Sequence, residues 1–417
     1  MISDEKQRSV LENHILPLFS GATIFDEKVT SRKGEQLVAT GAGANYLMIK
    51  FYNSCKERFV INRSQPFTGK DSSLVKRFLQ KICSIEEASF FAEAMYDICL
   101  EKAICEELSD EVHNIIESVI DAFTNWSLRT YEGRHPSFGV IIDTSRKSEL
   151  EDNGALKVEN CMLKDYAAPL SDGISSYFRL TCDGYILSHE IIEFHNKHDE
   201  SITRDIFAPY RFINFAERCN GGNIGLVLLA SGELLIFADK EIKYAKRQGK
   251  WKIFDHKTAI NRLSDGSKHM NASIRNAMYL SALDVSFSKT GGCIGYINKT
   301  KMKEFITDIN EGDRLSNNPN QNDKAKFISR LVREIKFQDL SRKTRQELAG
   351  IDGATVIDRD GNIIACGAIL KRVASSIEGG GRLAATIQLS SYGTALKISA
   401  DGGISAYHKG KKVVAIG

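Results

Sequence analysis

Two short stretches near the C-terminal end combine residue types that can do chemistry. The first is Gly350-Ile-Asp-Gly-Ala354, in which an aspartate lies between glycines. The flanking patterns predict a helix that ends at Gly350 and a strand that begins at Ala354, so Asp352 would be held by rigid neighbours. Gly353 would let a ligand approach the backbone closely. The stretch predicts a carboxylate aimed at a bound group, although Asp-Gly more often marks a plain turn.

The second stretch, Glu378-Gly-Gly-Gly-Arg-Leu-Ala-Ala385, leads into a helical pattern. Three glycines at a helix N-terminus expose backbone N–H groups, and these groups together with the helix dipole favour a phosphate. Arg382 adds a planar guanidinium that suits phosphate oxygens. Gly-Gly-Gly also marks flexible loops that bind nothing. An acid for a metal ion and an N–H cradle for phosphates are together the minimum set for nucleotide chemistry.

The elements that must position these stretches alternate between helix and strand. Apolar residues at helical spacing begin at Ile274 and run into a glycine-bounded strand over 291–297. The polar residues 310–324 predict an exposed loop. Helical patterns follow, one of them over 340–349, and then come strand patterns at 354–358, 363–365 and 396–399. This order predicts an α/β fold with a C-terminal mixed sheet flanked by helices.

Residues from about 271 to the end resemble the diadenylate cyclase (DAC) domain, which makes cyclic di-AMP from two ATP. The opening helix and strand of that domain look like residues 277–286 followed by 291–297. Its Asp-Gly-Ala motif matches Asp352-Gly353-Ala354, followed by Val356-Ile-Asp358. Its next strand, which ends in Gly-x-x-Leu, is similar to Gly367-Ala-Ile-Leu370, and its Ser-Glu-Glu…Gly-x-Ile-Ser strand is similar to residues 398–405. The motifs keep their order over roughly 145 residues, which makes the match more specific than any one of them.

The glycine stretch departs from the family pattern Gly-Thr-Arg-His-Arg-Ala-Ala. Gly380 and Gly381 stand at the positions of the threonine and the first arginine, Arg382 replaces the histidine, and Leu383 replaces the last arginine. The backbone cradle is kept, while three polar side chains are reduced to one arginine. Ala400 stands where a glutamate is usual, although the next residue keeps a carboxylate. These changes bear on rate, metal geometry and product, and they leave the nucleotide pocket in place.

The resemblance implies ATP as substrate, Mg²⁺ or Mn²⁺ as cofactor, and a head-to-head homo-oligomer in which each ATP gives its 3′-hydroxyl to the α-phosphate of the other. Asp352 is implied as a metal ligand that orients or deprotonates the hydroxyl, and Arg382 as the catalytic residue that neutralises the leaving group. Asp401 is implied as a second metal ligand. Leu370 would pack on adenine. The implied nucleotide-binding residues are Gly353, Ala354, Leu370, Gly379, Gly380, Gly381, Leu383 and Ser399.

The rest of the chain divides into two predicted regions. Residues 1–130 carry apolar residues at helical spacing and predict a mainly helical region, with Ser109 as the N-cap of a helix over 110–128. Residues 131–265 carry short apolar or alternating runs that predict the strands of an α+β sensor-like module. This part resembles the sensor modules that precede some bacterial DAC domains, and the DAC-like domain itself is expected over 270–417. The residues that carry the sensor resemblance are 129–134, 138–142, 233–240 and 246–251.

Composition and charge exclude several classes of protein. The 417 residues are 42% hydrophobic, and 56 basic against 53 acidic residues give a net charge of +3. That balance is too even to predict a nucleic-acid or anionic-membrane partner. No apolar run approaches the roughly 20 residues of a membrane span, and the charged N-terminus lacks a signal-peptide core. Nine scattered cysteines without a CxxC pair predict reduced thiols, so we expect a cytoplasmic protein with no membrane span.

Two further signals have competing interpretations. Three histidines could suggest a zinc site, but their spacing is not that of a zinc motif, and a structural role on a strand is favoured for the first: His189, His195 and His198. Residues 243–252 could bind RNA with two aromatic residues as stacking platforms, Tyr244 and Trp251. A solvated hairpin is the favoured interpretation of that basic strip.

Three functions remain open on the sequence. The favoured one is a diadenylate cyclase regulated by the N-terminal sensor region, whose sensed ligand or partner the sequence does not name. The chief alternative is a catalytically degenerate domain that binds a nucleotide and signals through the N-terminal module. The third is an interaction protein built around the N-terminal helices. The position of Asp352 relative to Arg382 separates the first two, because catalysis needs both side chains in one cleft.

Overall fold

The computed structural model describes residues 4–30, 44–51, 57–86, 94–147, 156–162, 165–192, 205–265, 270–315, 319–371 and 380–417. The chain forms two compact units. The first combines Met1–His195 with Arg211–Phe254, and the second combines Asn196–Tyr210 with Asp255–Gly417. The first unit holds the residues of the predicted helical region and most of those of the predicted sensor-like module. The predicted division into three domains stays a prediction.

The helices of the first unit form where apolar residues recur at helical spacing. Leu74 and Phe78, four residues apart on one face of α2, are buried as that spacing predicts. The helix predicted over 110–128 begins only at His113, because Ser109 accepts hydrogen bonds from two backbone N–H groups of a turn that precedes the helix. The bounds are α1 Asp4–Val10, α2 Gly69–Glu86, α3 Ala94–Leu108, α4 His113–Ser127, α5 Val158–Met162 and α6 Ile213–Arg218.

The first unit also contains a three-stranded antiparallel sheet that the sequence analysis missed. Its order is β1-β3-β2, with β1 Thr23–Thr30, β2 Tyr46–Ile49 and β3 Glu57–Asn62. The register of β1 against β3 shifts between Phe25 and Val29. The charged residues 26–28 lie at that shift and interrupt the apolar alternation by which a strand is recognised. The prediction of a mainly helical region was therefore incomplete.

A seven-stranded mixed sheet follows in the first unit, in the order β10-β9-β8-β7-β4-β5-β6. The pair β4 and β5 is parallel, and the other neighbouring pairs are antiparallel. Alternating and short apolar runs predicted these strands, and the structure confirms them. The bounds are β4 Phe138–Asp143, β5 Ser176–Thr181, β6 Ile186–Ile191, β7 Ile224–Leu228, β8 Leu234–Ala238, β9 Glu241–Arg247 and β10 Lys250–Ile253.

The second unit is built on a six-stranded mixed sheet in the order β13-β12-β11-β14-β15-β16. Only β11 and β12 pair in parallel among its described strands. The predicted α/β class with a mixed C-terminal sheet is confirmed. The bounds are β11 Gly292–Ile297, β12 Ala354–Ile357, β13 Ile363–Ala368, β14 Gly393–Ile398, β15 Ile404–His408 and β16 Lys411–Ile416.

Helices cover both faces of this sheet. The loop predicted over 310–324 is shorter than expected, because Asp313 is buried in a 3-10 turn and α10 begins at Asp323, where the side chain of Asn322 caps the helix. The bounds are α7 His256–Arg262, α8 Ala272–Ser288, α9 Met302–Asp308, α10 Asp323–Val332, α11 Arg342–Gly350 and α12 Gly381–Ser390.

Strand β11 shows which helices lie on which face. A Cβ on Gly292 would meet Val285 of α8 and the carbonyl of Ala349 of α11. One residue further on, Cys293 lies against Thr386 of α12. Because successive residues of a strand point to opposite faces, α12 covers one face of the sheet and α8 and α11 cover the other. The core of the unit lies on both sides of β11, β12 and β14.

The described cysteines are free thiols, as the sequence analysis expected, and most of them are buried. None of the described helices has the length and apolar character that crossing a membrane requires.

Candidate functional site

A cavity of about 610 Å³ opens in the second unit where strands β11, β13 and β14 meet the N-terminus of α12. It is large enough to take much of a nucleotide-sized ligand. The cavity brings together parts of the chain that are separated by more than a hundred residues in sequence. Eight of the predicted site residues line it: Asp352, Gly353, Leu370, Gly380, Gly381, Arg382, Leu383 and Ser399.

Asp352 lies in the short connection between α11 and β12, with its side chain exposed to the cavity. Helix α11 ends at Gly350 and β12 begins at Ala354, so the connection has the bounds that the sequence predicted. The hydroxyl of Thr355 donates a hydrogen bond to the carbonyl of Leu348 (2.9 Å) and ties the start of the strand to the end of the helix. Both flanks of the aspartate are therefore fixed.

Two glycines with positive φ lock this connection onto β13. Gly353 has φ +100°, and a Cβ there would lie 2.5 Å from the carbonyl carbon of Gly367. Gly367 has φ +59°, and a Cβ there would lie 2.9 Å from the carbonyl oxygen of Asp352. The close approach that Gly353 permits in this structure is thus an approach of β13, and its predicted role in binding a nucleotide stays a prediction. Its effect is to hold the backbone of Asp352 against the sheet.

The N-terminus of α12 forms a second wall of the cavity. Gly380 is the N-cap residue and Gly381 the first helical residue, and no side chain caps the described end of this helix. A Cβ on either glycine would meet no atom of the described residues within 4 Å. The N–H groups of a first helical turn lack partners inside the helix, so open space in front of them suits an anion. The predicted helix N-terminus at the glycines is confirmed, while Gly379 lies outside the described residues.

Arg382 projects from the first turn of α12 along the start of β11. Its Nη2 donates a hydrogen bond to the carbonyl of Thr290 (3.3 Å). The guanidinium lies against Gly291, where a Cβ would be 2.4 Å from Nη1 and where φ is +69°. Gly291 therefore makes the room in which the arginine reaches the cavity. The sequence analysis treated this glycine only as the border of a strand.

The sheet side of the cavity contains residues that the sequence analysis did not assign to the site. Lys397 of β14 and Cys293 of β11 lie opposite each other in the antiparallel pair, and both line the cavity. Burial raises the pKa of the Cys293 thiol to about 11, so this thiol stays protonated and unreactive near neutral pH. The sequence did contain one indication that Lys397 belongs to the site, because a lysine inside a predicted apolar strand is unusual.

Leucine and isoleucine side chains form the apolar part of the lining. Leu370 is 4% exposed and lies two residues past the end of β13, and Leu383 is half-buried on α12. Ile369 also lines the cavity and is 65% exposed. An apolar wall beside cationic and N–H donors is the division that a nucleotide needs, with one part for the base and another for the phosphates.

The remaining predicted site residues lie elsewhere or deeper. Ala354 is buried at the start of β12 and does not line the cavity. Asp401 lies in the turn between β14 and β15, where its Oδ1 accepts a hydrogen bond from the N–H of Gly403 (3.3 Å), and it does not line the cavity. The strand expected over 398–405 is a hairpin turn at this point, because β14 ends at Ile398. The binding roles of these residues stay predictions.

The residues that line the cavity could bind a divalent cation only together with a phosphate-bearing ligand. Asp352 is the one acidic residue among the described residues that line the cavity, and no three His, Cys, Asp or Glu side chains of the described chain group together as a metal site. Mg²⁺ commonly takes one or two carboxylates together with substrate phosphates and water. Asp352 fits a metal that arrives with a phosphate chain, and it does not fit a metal held by protein groups alone.

The two signals set aside in the sequence have structural explanations. The ring Nε2 of His189 lies 2.7 Å from the carbonyl oxygen of Leu170, which agrees with a structural role, while His195 and His198 lie outside the described residues. Trp251 and Tyr244 of the basic hairpin are 3% and 7% exposed. Buried rings cannot act as stacking platforms for bases, so Tyr244 and Trp251 cannot have the role that the RNA-binding alternative gave them.

Comparison with known proteins gives limited information. No family model and no curated protein matches the chain. Among solved structures, the chain is similar to a double mutant of DacA, a diadenylate cyclase from Staphylococcus aureus, with 16% sequence identity and a TM-score of 0.24. The match covers 39% of this chain and 89% of the DacA chain. At this TM-score the likeness carries no argument about function, which must rest on the residues of the cavity.

Proposed function

We propose that the second unit is a nucleotidyltransferase of the diadenylate cyclase type, which condenses two ATP into cyclic di-AMP and two pyrophosphates. One observation carries the proposal. A carboxylate and an uncapped helix N-terminus with its arginine, thirty residues apart in the sequence, line one cavity of nucleotide size. The motif order of the DAC resemblance supports the same reaction. The sequence analysis made catalysis depend on Asp352 and Arg382 sharing one cleft. Asp352 is exposed and not buried by a structural partner.

The residues of the cavity have separate tasks in the proposed reaction. The N–H groups at Gly380 and Gly381 and the guanidinium of Arg382 bind the phosphate chain and offset the charge of the leaving pyrophosphate. Asp352 holds the 3′-hydroxyl in line with the α-phosphorus and accepts its proton. Leu370 packs on the adenine. A bound Mg²⁺ or Mn²⁺ would supply further neutralisation of phosphate charge at Asp352.

The reaction requires two chains. In each of two steps, a 3′-oxygen attacks an α-phosphorus, a new P–O bond forms, the bond to the β-phosphate oxygen breaks, and pyrophosphate leaves. The cavity of one chain has one Asp352 and one Arg382. These residues suffice to bind one nucleotide, and the reaction needs two. We therefore propose a homo-oligomer in which two such cavities face each other, with the first unit as its regulatory region.

Incubation of the full chain with ATP and either Mg²⁺ or Mn²⁺ tests the proposal, with products identified by mass spectrometry. The wild-type protein is expected to form cyclic di-AMP and release pyrophosphate, and chelation of the metal is expected to stop both. Asp352→Asn removes the proton acceptor and should lower the rate by at least about 100-fold. Asp360→Asn is the matched control, because it makes the same change in the exposed turn between β12 and β13, and it should leave the rate unchanged.

The second candidate function is a catalytically degenerate protein that binds a nucleotide. It is favoured by one observation, because the described lining of the cavity contains a single acidic residue. Under this alternative ATP raises the melting temperature of the wild-type protein, but no cyclic dinucleotide forms with either metal. A wild-type protein that neither binds nor converts ATP would contradict both proposals. Full activity of Asp352→Asn would show that the assignment of Asp352 is wrong even if the protein is a cyclase.

A further inference from the structure

Lys397 occupies an unusual position for a lysine. It lies on β14, which is paired on one side with β11 and on the other with β15. Its chain neighbours Leu396 and Ile398 are fully buried, whereas the Lys397 side chain is half-buried. An inner strand offers a lysine little access to water, and placing an ammonium there costs free energy unless another group compensates its charge. The position therefore needs a physical reason.

The face of β14 that carries Lys397 is the face that the cavity exposes. Ser399, two residues further along the chain and just past the end of β14, also lines the cavity, as does Cys293, directly across on β11. The Cys293 thiol contacts the hydroxyl of Thr386, and that hydroxyl donates to the carbonyl of Arg382 (2.7 Å). Lys397 thus approaches the cavity from the sheet, while Arg382 approaches it from α12.

These two cations have no carboxylate partner among the described residues. Neither Lys397 nor Arg382 forms an ion pair there, and neither is paired with Asp352, although all three side chains line the same cavity. Two like charges that face one partly enclosed space repel each other, and an anion between them removes the repulsion and gains attraction to both. The arrangement favours a ligand with several negative charges.

We propose that Lys397 binds the phosphate chain of the nucleotide as a second cation, from the sheet side of the cavity. The inference rests on the proposed function and extends it, because the glycine stretch itself contributes Arg382 as its one cation. An ammonium is a point charge with three donors and can contact oxygens of more than one phosphate. Lys397 is then a determinant of affinity for triphosphate over uncharged nucleoside.

Calorimetric titration of the full chain with Mg²⁺–ATP and, separately, with adenosine tests this role. Lys397→Met keeps the length of the side chain and removes its charge, and it should weaken ATP binding by at least about tenfold while adenosine affinity stays the same. Lys397→Arg should recover most of the lost ATP affinity. Lys412→Met is the matched control on the exposed end of β16, and it should bind both ligands as the wild-type protein does.

The outcomes separate the inference from the function on which it rests. Unchanged ATP affinity in Lys397→Met, with wild-type ATP binding intact, would overturn the role of Lys397 and leave the proposed function standing. A parallel loss of ATP and adenosine affinity would also overturn it, because a merely structural lysine affects both ligands. A wild-type protein that binds no ATP would overturn the function and the inference together. Circular dichroism of each variant checks that the sheet is retained.

Discussion

At the scale of single residues, glycines decide the geometry of the site as much as its charged groups do. Gly353 and Gly367 lock the aspartate connection onto β13, and Gly291 makes room for the arginine. At each of these positions φ is positive and a Cβ would collide with a neighbour. The glycines that open α12 are different, because a Cβ on Gly380 or Gly381 would meet none of the residues that the structure describes. Glycine thus has a steric role in one wall of the cavity and a proposed ligand-binding role in the other.

This difference gives a prediction for two Gly→Ala changes. Gly353→Ala places a Cβ 2.5 Å from backbone atoms at φ +100°, and the strain should lower the free energy of unfolding by about 1–3 kcal/mol or more. Gly381→Ala meets no atom of the described part of the chain and lies in the first turn of a helix. It should therefore be neutral or stabilising by up to about 1 kcal/mol. Hydrogen exchange of β12 and β13 in a urea series measures both values. Equal stability of the two variants would contradict this account of Gly353.

At the scale of elements, a buried ion pair fixes the helix that leads to the aspartate. Arg342, the first residue of α11, donates two hydrogen bonds to Asp284 of α8, at 3.0 and 2.6 Å. It also donates to the carbonyls of Ile206 and Ala208, and the N–H of Tyr210 donates to Asp284. Burial raises the pKa of Asp284, and the attraction of Arg342 opposes that shift. The network joins segment 206–210 to α8 and α11.

Breaking this network should destabilise the second unit strongly. Arg342→Met leaves a fully buried carboxylate and two carbonyls without their partner, at a cost of about 3–5 kcal/mol. Lys343→Met on the same helix removes an exposed pair with Glu347, and it should cost no more than about 0.5 kcal/mol. Protection of α8 and α11 against hydrogen exchange reports both effects. A loss in Arg342→Met no larger than that in Lys343→Met would show that the network does not stabilise these helices.

The elements around the site also show why local patterns located it. Helix α11 begins after Ser341, whose hydroxyl accepts from the N–H of Thr344, and it ends at a glycine. Caps and glycines act through neighbouring backbone groups, so they mark the ends of elements in any fold. Strand β1 showed no local pattern of this kind, because the charged residues 26–28 lie where the register shifts and interrupt the apolar alternation. Its pairing with β3 depends on residues far along the chain, and no local signal contains that information.

At the scale of the whole molecule, the proposed reaction depends on encounter between chains. The described lining of the cavity carries one carboxylate and one arginine, so under the proposed function a single chain binds one nucleotide and cannot complete the ring by itself. We expect activity per chain to rise with protein concentration and to level off once the oligomer is saturated. ATP binding per chain should not change over the same range.

Initial rates of pyrophosphate release, measured over a wide range of protein concentration and compared with sedimentation of the same samples, check this prediction. Constant activity per chain in samples that sediment as monomers would contradict the facing-site arrangement. Such a result would leave the proposed ATP binding by the cavity untouched, because the residues proposed to bind ATP all belong to one chain. The comparison therefore separates the assembly from the pocket.

The sequence by itself determined most helices and strands of the second unit, the class of its fold, and the two stretches that line the cavity. These features follow from periodicity, caps and glycines, which depend on residues close together in the chain. Only the tertiary structure decided that Asp352, Arg382 and Lys397 share one cavity and that Asp401 does not line it. It also decided that Gly353 serves the packing of β13. The register of paired strands and the face that a helix covers are set by contacts between distant residues, so they emerge only when the whole sheet is assembled.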